Sequence, residues 1–467
     1  MAIAGRSSAE AVFRLLVRAS ETASPEAGSS IEVAGQRWQL VDRGAVPSPT
    51  EAPSYICVSY SWGAGRTKNP FDPSQPMAAR TRPALETAIA TLRPAAVWVD
   101  AICVPSQEPA RSRCLQSMGA IYAAATGVLA VLSPSPSNRI VLDAVGQELL
   151  SADHLHYLEA DDWVSRAWTY QEIVNSRIMS FTIEGQRTAP LAGAMLLNGI
   201  GETIRKHQQA AQLDAYEFRE RHPRLDAWET AIADWRTADY AERSAYRVMT
   251  ALIDRKAERA DDHFYAMVGA ISTARSDPSK ADQSPAEYFM RVCEEKGDFS
   301  FIYSTAPRAS GSWRPMPGPL PPIISWTSDG ERQTGKLNAT SLQLLNMASL
   351  ASGGLDESPR KFIRTWLQRT VLRPLPTDMA GAVGETLRRA GFDGCGEYVE
   401  TTDGYFFPQK PLGRASDCRV FAAADISFRF GAPGLLVDPA GAGTAKFRDV
   451  GVFVGEVPKN RQTIEIE

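Results

Sequence analysis

The chain has 467 residues, 44% of them hydrophobic and 22% charged, with a formal net charge of −4. That length exceeds one ordinary hydrophobic core, so two or three domains are expected, and the mild acidity argues against a nucleic-acid partner bound through a basic face. No apolar run approaches the roughly 20 residues that span a bilayer.

Residues 9–18 (Ala-Glu-Ala-Val-Phe-Arg-Leu-Leu-Val-Arg) read as a short amphipathic docking helix within a lead-in over 1–50. They lack the long apolar stretch of a secretory signal. The six cysteines (Cys57, Cys103, Cys114, Cys293, Cys395, Cys418) show no C-x-x-C spacing, and His154 and His156 are the one close histidine pair. Cys57 and Cys103 sit in apolar runs, where thiols behave as small buried hydrophobes. This usage argues against a zinc site and fits a reducing, cytoplasmic setting.

Between 55 and 183, apolar runs alternate with helical patterns. Ile56–Tyr60, Ala96–Cys103, Gly127–Leu132 and Ile178–Ile183 read as buried strands rich in Val and Ile. Leu85, Ala88, Ile89 and Leu92 recur at helical spacing after Pro83, and Leu115, Met118, Tyr122 and Ala125 form a second stripe. A third helix carries Trp168, Glu172 and Ile173. Strands alternating with helices imply an α/β core over 51–190, with a mostly parallel sheet flanked by helices.

Residues 191–300 change character. Thr203–Gln212, Asp226–Ala233 and Ala241–Arg259 read as charged amphipathic helices, a helical extension of the core. The Pro- and Ser-rich stretch within 301–330 reads as a linker or extended surface segment. Over 331–467 a smaller mixed α/β part is expected, with helices at Arg360–Leu372 and Met379–Ala390. Strands follow at Arg419–Phe421, Ile426–Phe430, Gly434–Val437 and Val450–Val457.

Three stretches join strand or helix ends to unusual polar and aromatic residues. In a parallel α/β sheet, ligands bind beyond the carboxyl ends of the strands. The first stretch, Tyr55–Gly65, ends its strand in Ser59, Tyr60, Ser61, Trp62 and Gly63, where the glycines permit a tight turn; a structural turn with an exposed Trp fits equally. The second places Asp100 in an apolar run, where a carboxylate needs hydrogen bonds. Its structural role is favoured over ligand binding, and Trp98 reads as core. The third, Ser165–Glu172, puts Trp168 and Glu172 four apart on one helix face, aiming an indole and a carboxylate at the same space. Read alone, Glu172 is a solvated glutamate or the partner of Arg166 in a tethering salt bridge.

Together these stretches resemble the heterokaryon-incompatibility (HET) domain family. Its Y-x-x-L-S-Y-x-W-G strand stands here as Tyr55–Gly63, its W-I-D-A-x-C-I-x-Q strand as Trp98–Gln107, and its R-x-W-x-x-Q-E helix start as Arg166–Glu172. Asp261–Gly269 is similar to the family's P-R-D-x-V-Y-A-L-L-G element, and Pro321–Trp326 to its later L-P-S-W stretch. Val58 replaces the usual Leu, Val104–Gln107 runs one residue longer, and Asp262-His263 replaces Arg-Asp. The resemblance spans about 50–330.

HET domains are in turn related to Toll/interleukin-1 receptor (TIR) domains, which implies a flavodoxin-like fold. In NAD-cleaving TIR domains a glutamate four residues after a Trp is catalytic, so the resemblance assigns that role to Glu172. It implies N-glycosidic cleavage of NAD, or of a related nucleotide, by a cell-death or non-self-recognition effector. NAD is then the substrate, and no other cofactor or metal is required. Ser59, Tyr60, Trp62, Gly63, Asp100, Arg166 and Trp168 are the candidate substrate contacts: an indole for the base, Arg166 for the diphosphate, Asp100 as an organiser. Self-assembly, or a partner signalling protein, is expected to complete the site. A non-catalytic TIR-like assembly module is the main alternative. Nucleoside deoxyribosyltransferase-like transfer is the second, and a cysteine hydrolase using Cys103 or Cys114 with His154 is the least favoured.

Overall fold

The structure, a computed structural model, describes residues 13–19, 30–46, 54–211, 218–219, 221–237, 243–275, 283–325, 329–330, 332–338, 341–371, 378–413, 418–440 and 444–467. Residues 9–12, Gln212, Ala241, Trp326 and Leu372, which fall in expected elements or motifs, lie outside these ranges. The chain divides into two compact units. The first comprises Met1–Tyr240 and Asp254–Gln283, and the second Ala241–Ile253 and Ser284–Glu467.

The first unit is built on an eight-stranded mixed sheet. In chain order its strands are β1 (Phe13–Arg18), β2 (Ser30–Val33), β3 (Gln36–Gly44), β4 (Ile56–Tyr60), the two-residue pair β5 (Arg66–Thr67) and β6 (Met77–Ala78) beside the sheet, then β7 (Ala96–Val99), β8 (Gly127–Leu132), β9 (Met179–Ile183) and β10 (Leu191–Ala192). The sheet order is β10-β9-β8-β4-β7-β1-β3-β2. Only β9, β8, β4 and β7 run parallel to one another; the flanking pairings are antiparallel. The sheet is therefore mixed rather than mostly parallel. Residues 13–18, expected as part of a docking helix, form β1 between β7 and β3. In Phe-Arg-Leu-Leu-Val-Arg, β-branched and aromatic residues on a half-buried surface outweigh a weak helical period.

Burial explains which apolar runs became central strands. β4, β7 and β8 are covered on both faces, so they read as continuous hydrophobic runs. β2 and β3 mix exposed and buried positions. The expected strand Ala96–Cys103 stops at Val99, and Asp100–Cys103 turns into a helix, α2. Asp100 is thus the first residue beyond a parallel strand, where a carboxylate also favours the following helical turn.

The connecting helices are α1 (Thr81–Leu92), α2, α3 (Ala110–Gln116), α4 (Met118–Ala124), α5 (Pro136–Gly146), α6 (Ala152–Leu158), α7 (Ala167–Val174), α8 (Gly193–Ala211), α9 (Pro223–Thr237) and α10 (Ala260–Ile271). The stripe expected from Leu115 to Ala125 is broken at Ser117 into α3 and α4. Counted from β4, the parallel strands lie in the order 2-1-3-4, so the chain reverses its direction of progress at β4. Crevices beyond the carboxyl ends of strands form at such reversals.

α4 and α10 approach backbone to backbone at Gly119, and α7 packs its Gln171 and Asn175 side chains onto Gly269 of α10. A Cβ on Gly269 would stand 1.5 Å from Gln171 Oε1, and one on Gly119 2.3 Å from the Ser272 carbonyl oxygen. Asn175 Nδ2 donates to the Gly269 carbonyl at 2.7 Å. The absence of a side chain at Gly269 is the structural use of the Asp261–Gly269 motif: it admits Gln171 and so seats the helix that carries Glu172.

The second unit is organised around a five-stranded barrel. Its strands are β11 (Leu342–Leu350), β14 (Arg419–Ala423), β15 (Gly431–Pro439), β16 (Thr444–Gly455) and β17 (Arg461–Ile466), closed by pairing of β17 with both β16 and β11. Closure leaves no open edge in the ring. The hairpin β12 (Val399–Thr401) and β13 (Gly404–Pro408) adds to β16. Leu350, Phe406, Val420, Leu436 and Phe453 fill a buried cluster. Helices Glu357–Val371 and Met379–Arg389 occur where helical patterns were read. The expected helix Ala241–Arg259 is confined to Ala245–Leu252. Residues 304–322, read above as a linker or surface segment, form an irregular hairpin, with Thr305 N–H bonded to the Pro321 carbonyl and Ile323 N–H to the Tyr303 carbonyl.

Candidate functional site

Glu172 lies on α7 and is 4% exposed. The solvated glutamate and the Arg166–Glu172 salt bridge are both overturned, because α7 turns this carboxyl inward onto β4. The Ser59 hydroxyl donates to Glu172 Oε2, and the buried Tyr122 on α4 lies beside the same carboxyl. Trp163 Nε1 donates to Ser59 Oγ at 2.8 Å, backed by Phe181 and Trp228 with ring centroids 5.4 Å from Trp163. Burial pushes the Glu172 carboxyl up to about 7. The Ser59 hydrogen bond opposes that rise, Asp100's negative charge adds to it, and Arg166 and Tyr122 oppose it.

A second carboxylate stands at the rim. Half-buried Asp100 accepts from Trp62 Nε1 at 2.8 Å through Oδ2, and from the Tyr60 hydroxyl at 3.2 Å and the Ala101 N–H at 2.7 Å through Oδ1. Burial raises its pKa, while the Arg166 charge and these hydrogen bonds pull it back. The Trp62 ring lies between two guanidinium groups, Arg66 at 5.5 Å and Arg166 at 5.6 Å from the centroid. Arg166 occupies the N-cap position of α7, where a cation opposes the helix dipole. It is held there by a 3.2 Å bond from Nη1 to the Tyr60 carbonyl, and among the described residues it has no ion-pair partner.

The remaining expected residues fall in distinct places. Tyr60 is 3% exposed and shares its hydroxyl between Thr81 (2.7 Å) and Asp100, so it fastens α1 to the rim. Gly63 has φ +65°, which the turn after β4 uses, and its carbonyl accepts from Arg66 at 2.8 Å. Trp168 does not share the space of Glu172. Its indole lies by the Asp262 carboxyl on α10 and opposes the rise that burial gives that carboxyl's pKa, while Glu172 reaches β4. The indole behind the carboxyl is that of Trp163. Cys103 and Cys114 are fully buried, with thiols pushed up to about 11 and about 12, and His154 Nδ1 is engaged with the Ser151 backbone N–H in capping α6. Neither thiol is placed as a nucleophile.

Tyr122, Trp163 and Arg80 complete the site; Tyr122 was read only as part of a helical stripe, and Trp163 and Arg80 were not singled out in the sequence. Tyr122 and Trp163 sit in apolar surroundings that read as core. Arg80 carries a usable signal, a cation just before a helix N-terminus, where the dipole disfavours it. It donates to the Ser61 carbonyl at 2.8 Å and ion-pairs with Glu184 at 2.8 Å, tying together the ends of β4 and β9. A groove of about 740 Å³ lies elsewhere, lined by Glu32, Arg82, Glu86, Glu184 and Arg187 among others. It contains none of the expected site residues.

Residues 55–172 match the family model described as Heterokaryon incompatibility protein (HET). The chain carries a HET domain. The match begins at Tyr55 and ends at Glu172, so it spans the stretches that converge on the carboxyl. No curated protein and no solved structure matches the chain. Within the HET domain, the strand motif supplies Ser59 and Trp62, the aspartate motif supplies Asp100, and the helix motif supplies Arg166 and Glu172. Among the described residues no helix is long and apolar enough to cross a membrane.

Proposed function

We propose that this HET-domain protein cleaves the bond between nicotinamide and ribose in NAD or a related nucleotide, with Glu172 as the catalytic carboxyl on a flavodoxin-like, TIR-like core. The observation that carries the reading is the convergence of Glu172, Ser59, Asp100, Trp62 and Arg166 around the carboxyl end of β4, where the strand order reverses. The 2-1-3-4 order of the parallel strands supports the flavodoxin-like assignment.

In this reading nicotinamide leaves as a neutral group and C1′ of the ribose gains oxocarbenium character. A carboxylate beside the sugar stabilises that charge, and water adds to C1′ with loss of a proton. A carboxyl held near 7 is partly ionised at neutral pH, so it serves both as the stabilising anion and as an acceptor for that proton. Trp62 offers a half-exposed face to a base, and Arg166, which has no ion-pair partner among the described residues, offers its guanidinium to a diphosphate. Glu172 is covered in this conformation, so turnover requires its carboxyl to leave Ser59 and meet the rim. Assembly of several copies, or binding of a partner signalling protein, supplies that rearrangement, and the downstream effect is cell death after non-self recognition.

A second reading is a non-catalytic assembly module. It is favoured by one observation: the Glu172 carboxyl already has Ser59 and Tyr122 as internal partners, as a structural carboxyl would. Nicotinamide release from NAD by the concentrated or crowded protein separates the two. The catalytic reading expects release by the wild type and at least a hundredfold loss in Glu172→Gln. Equal release by both proteins, or none from a folded wild type, favours the module.

A further inference from the structure

A five-residue segment outside every motif, Asp254–Glu258, touches both halves of the site. Arg255 is 4% exposed, and its guanidinium donates to the Val164 carbonyl and, at 2.8 Å, to the Ala227 carbonyl. The same guanidinium lies 5.1 Å from the ring centroid of Tyr170, which stands two residues before Glu172 on α7 and donates to buried Asp234 at 2.6 Å. Lys256 then pairs its backbone with the start of α7. Its N–H donates to the Ser165 carbonyl at 2.7 Å, and its carbonyl accepts from the Ala167 N–H at 2.9 Å. Glu258 reaches the other half through a 2.5 Å ion pair with Arg66, which holds the Gly63 and Gly65 carbonyls and faces Trp62.

These contacts differ in strength. The Arg66–Glu258 pair is exposed and contributes little. Arg255 is the opposite case, because a buried guanidinium is tolerated only while its donors are satisfied. Its hydrogen bonds therefore fix Val164 and Ala227 relative to each other, and its stacking on Tyr170 adds α7 to the same set.

The chain also changes units here. Ile253 ends the piece Ala241–Ile253 of the second unit, and Asp254 begins the return to the first. Helix Ala245–Leu252 stops one residue before that boundary. Its own unit anchors it through Asp298, which accepts from the Ala245 N–H at 2.6 Å, and through Tyr246, which donates to the Ile324 carbonyl at 2.9 Å. The four residue steps from Leu252 to Lys256 span at most about 14 Å when fully extended, which makes a short tether.

We infer that Asp254–Glu258 is a positioning strap: it sets α7 and the Trp62 turn, and it makes the Glu172 site respond to the state of the second unit. Regulation of catalysis by this route rests on the reading of Glu172 given above; the mechanical coupling does not. Hydrogen exchange on the full chain tests it without any catalytic readout. Asp298→Ala removes the acceptor at the start of helix Ala245–Leu252, and the strap then predicts at least tenfold faster exchange of the Ala167 and Lys256 amides. Tyr246→Phe, a milder change that keeps the fold, moves them in the same direction and decides the matter if Asp298→Ala fails to fold. Two glycines inserted between Ile253 and Asp254 abolish the transmission while the two amides keep their wild-type protection. Acceleration confined to the second unit overturns the strap, as does transmission that survives the insertion. Coupled exchange without NAD cleavage would retain the strap and discard the catalytic reading, and the reverse pattern would do the opposite.

Discussion

The cage around Glu172 and the rim around Asp100 each hold a raised carboxyl, and they do so in different ways. In the cage, two neutral hydroxyls and an indole behind them surround a group that is 4% exposed, and among the described residues no cation is in hydrogen-bond contact with it. At the rim, an indole N–H, a hydroxyl and a backbone N–H meet a half-buried carboxylate, with Arg166 stacked on the same indole. Neutral donors support a carboxyl in either protonation state, whereas a nearby cation favours the charged one. The cage is therefore suited to moving a proton, and the rim to holding charge in place.

The largest expected effect comes from removing the titration in the cage. Glu172 has a folded pKa near 7 against an unfolded value near 4.5, so the folded state binds more protons between those values. Stability is then fully present below pH 4.5 and falls as pH rises towards 7. Glu172→Gln removes that loss, and chemical denaturation above pH 7 should find it more stable than wild type by about 3 kcal/mol, with the difference vanishing near pH 4. A difference independent of pH would break the comparison.

Ser59→Ala comes next. It leaves the carboxyl and Trp163 Nε1 each short of a partner inside the protein, a cost of about 1–3 kcal/mol by denaturation. Because Ser59 opposes the rise of the Glu172 pKa, the variant should also move the midpoint of the pH-dependent loss above 7. Trp62→Phe acts only at the rim. It deletes the 2.8 Å bond to Asp100 in a half-buried setting, so the expected cost is about 1 kcal/mol or less, with no shift in the cage midpoint. On the proposed NAD-cleaving reading, its larger effect should be on nucleotide binding, read by calorimetry.

How much of this was legible in the sequence varied with the physics. The parallel strands were readable because burial on both faces produces unbroken Val- and Ile-rich runs such as Gly127–Leu132. β1 was misread because its six residues fit a helical and an extended pattern alike, and pairing with β3 and β7 decided between them. The barrel strands β11 and β17 were missed because polar and apolar residues mix along them and closure is a long-range property. At the site, chain order identified which motifs matter, but not where their side chains go. Trp168 and Glu172 are four apart on one helix, yet one meets α10 and the other β4. Tyr122's helical spacing marked it only as core, and Trp163 and Arg255 act through tertiary contacts that leave no local pattern.

The central claim is that Glu172 sits in the interior with its proton held to near neutral pH. Carboxyl ¹³C NMR on the wild type, with the Glu172 resonance assigned by its loss in Glu172→Gln, measures this directly. The account predicts a titration midpoint near 7. A midpoint near the ordinary glutamate value of about 4.3 would contradict it.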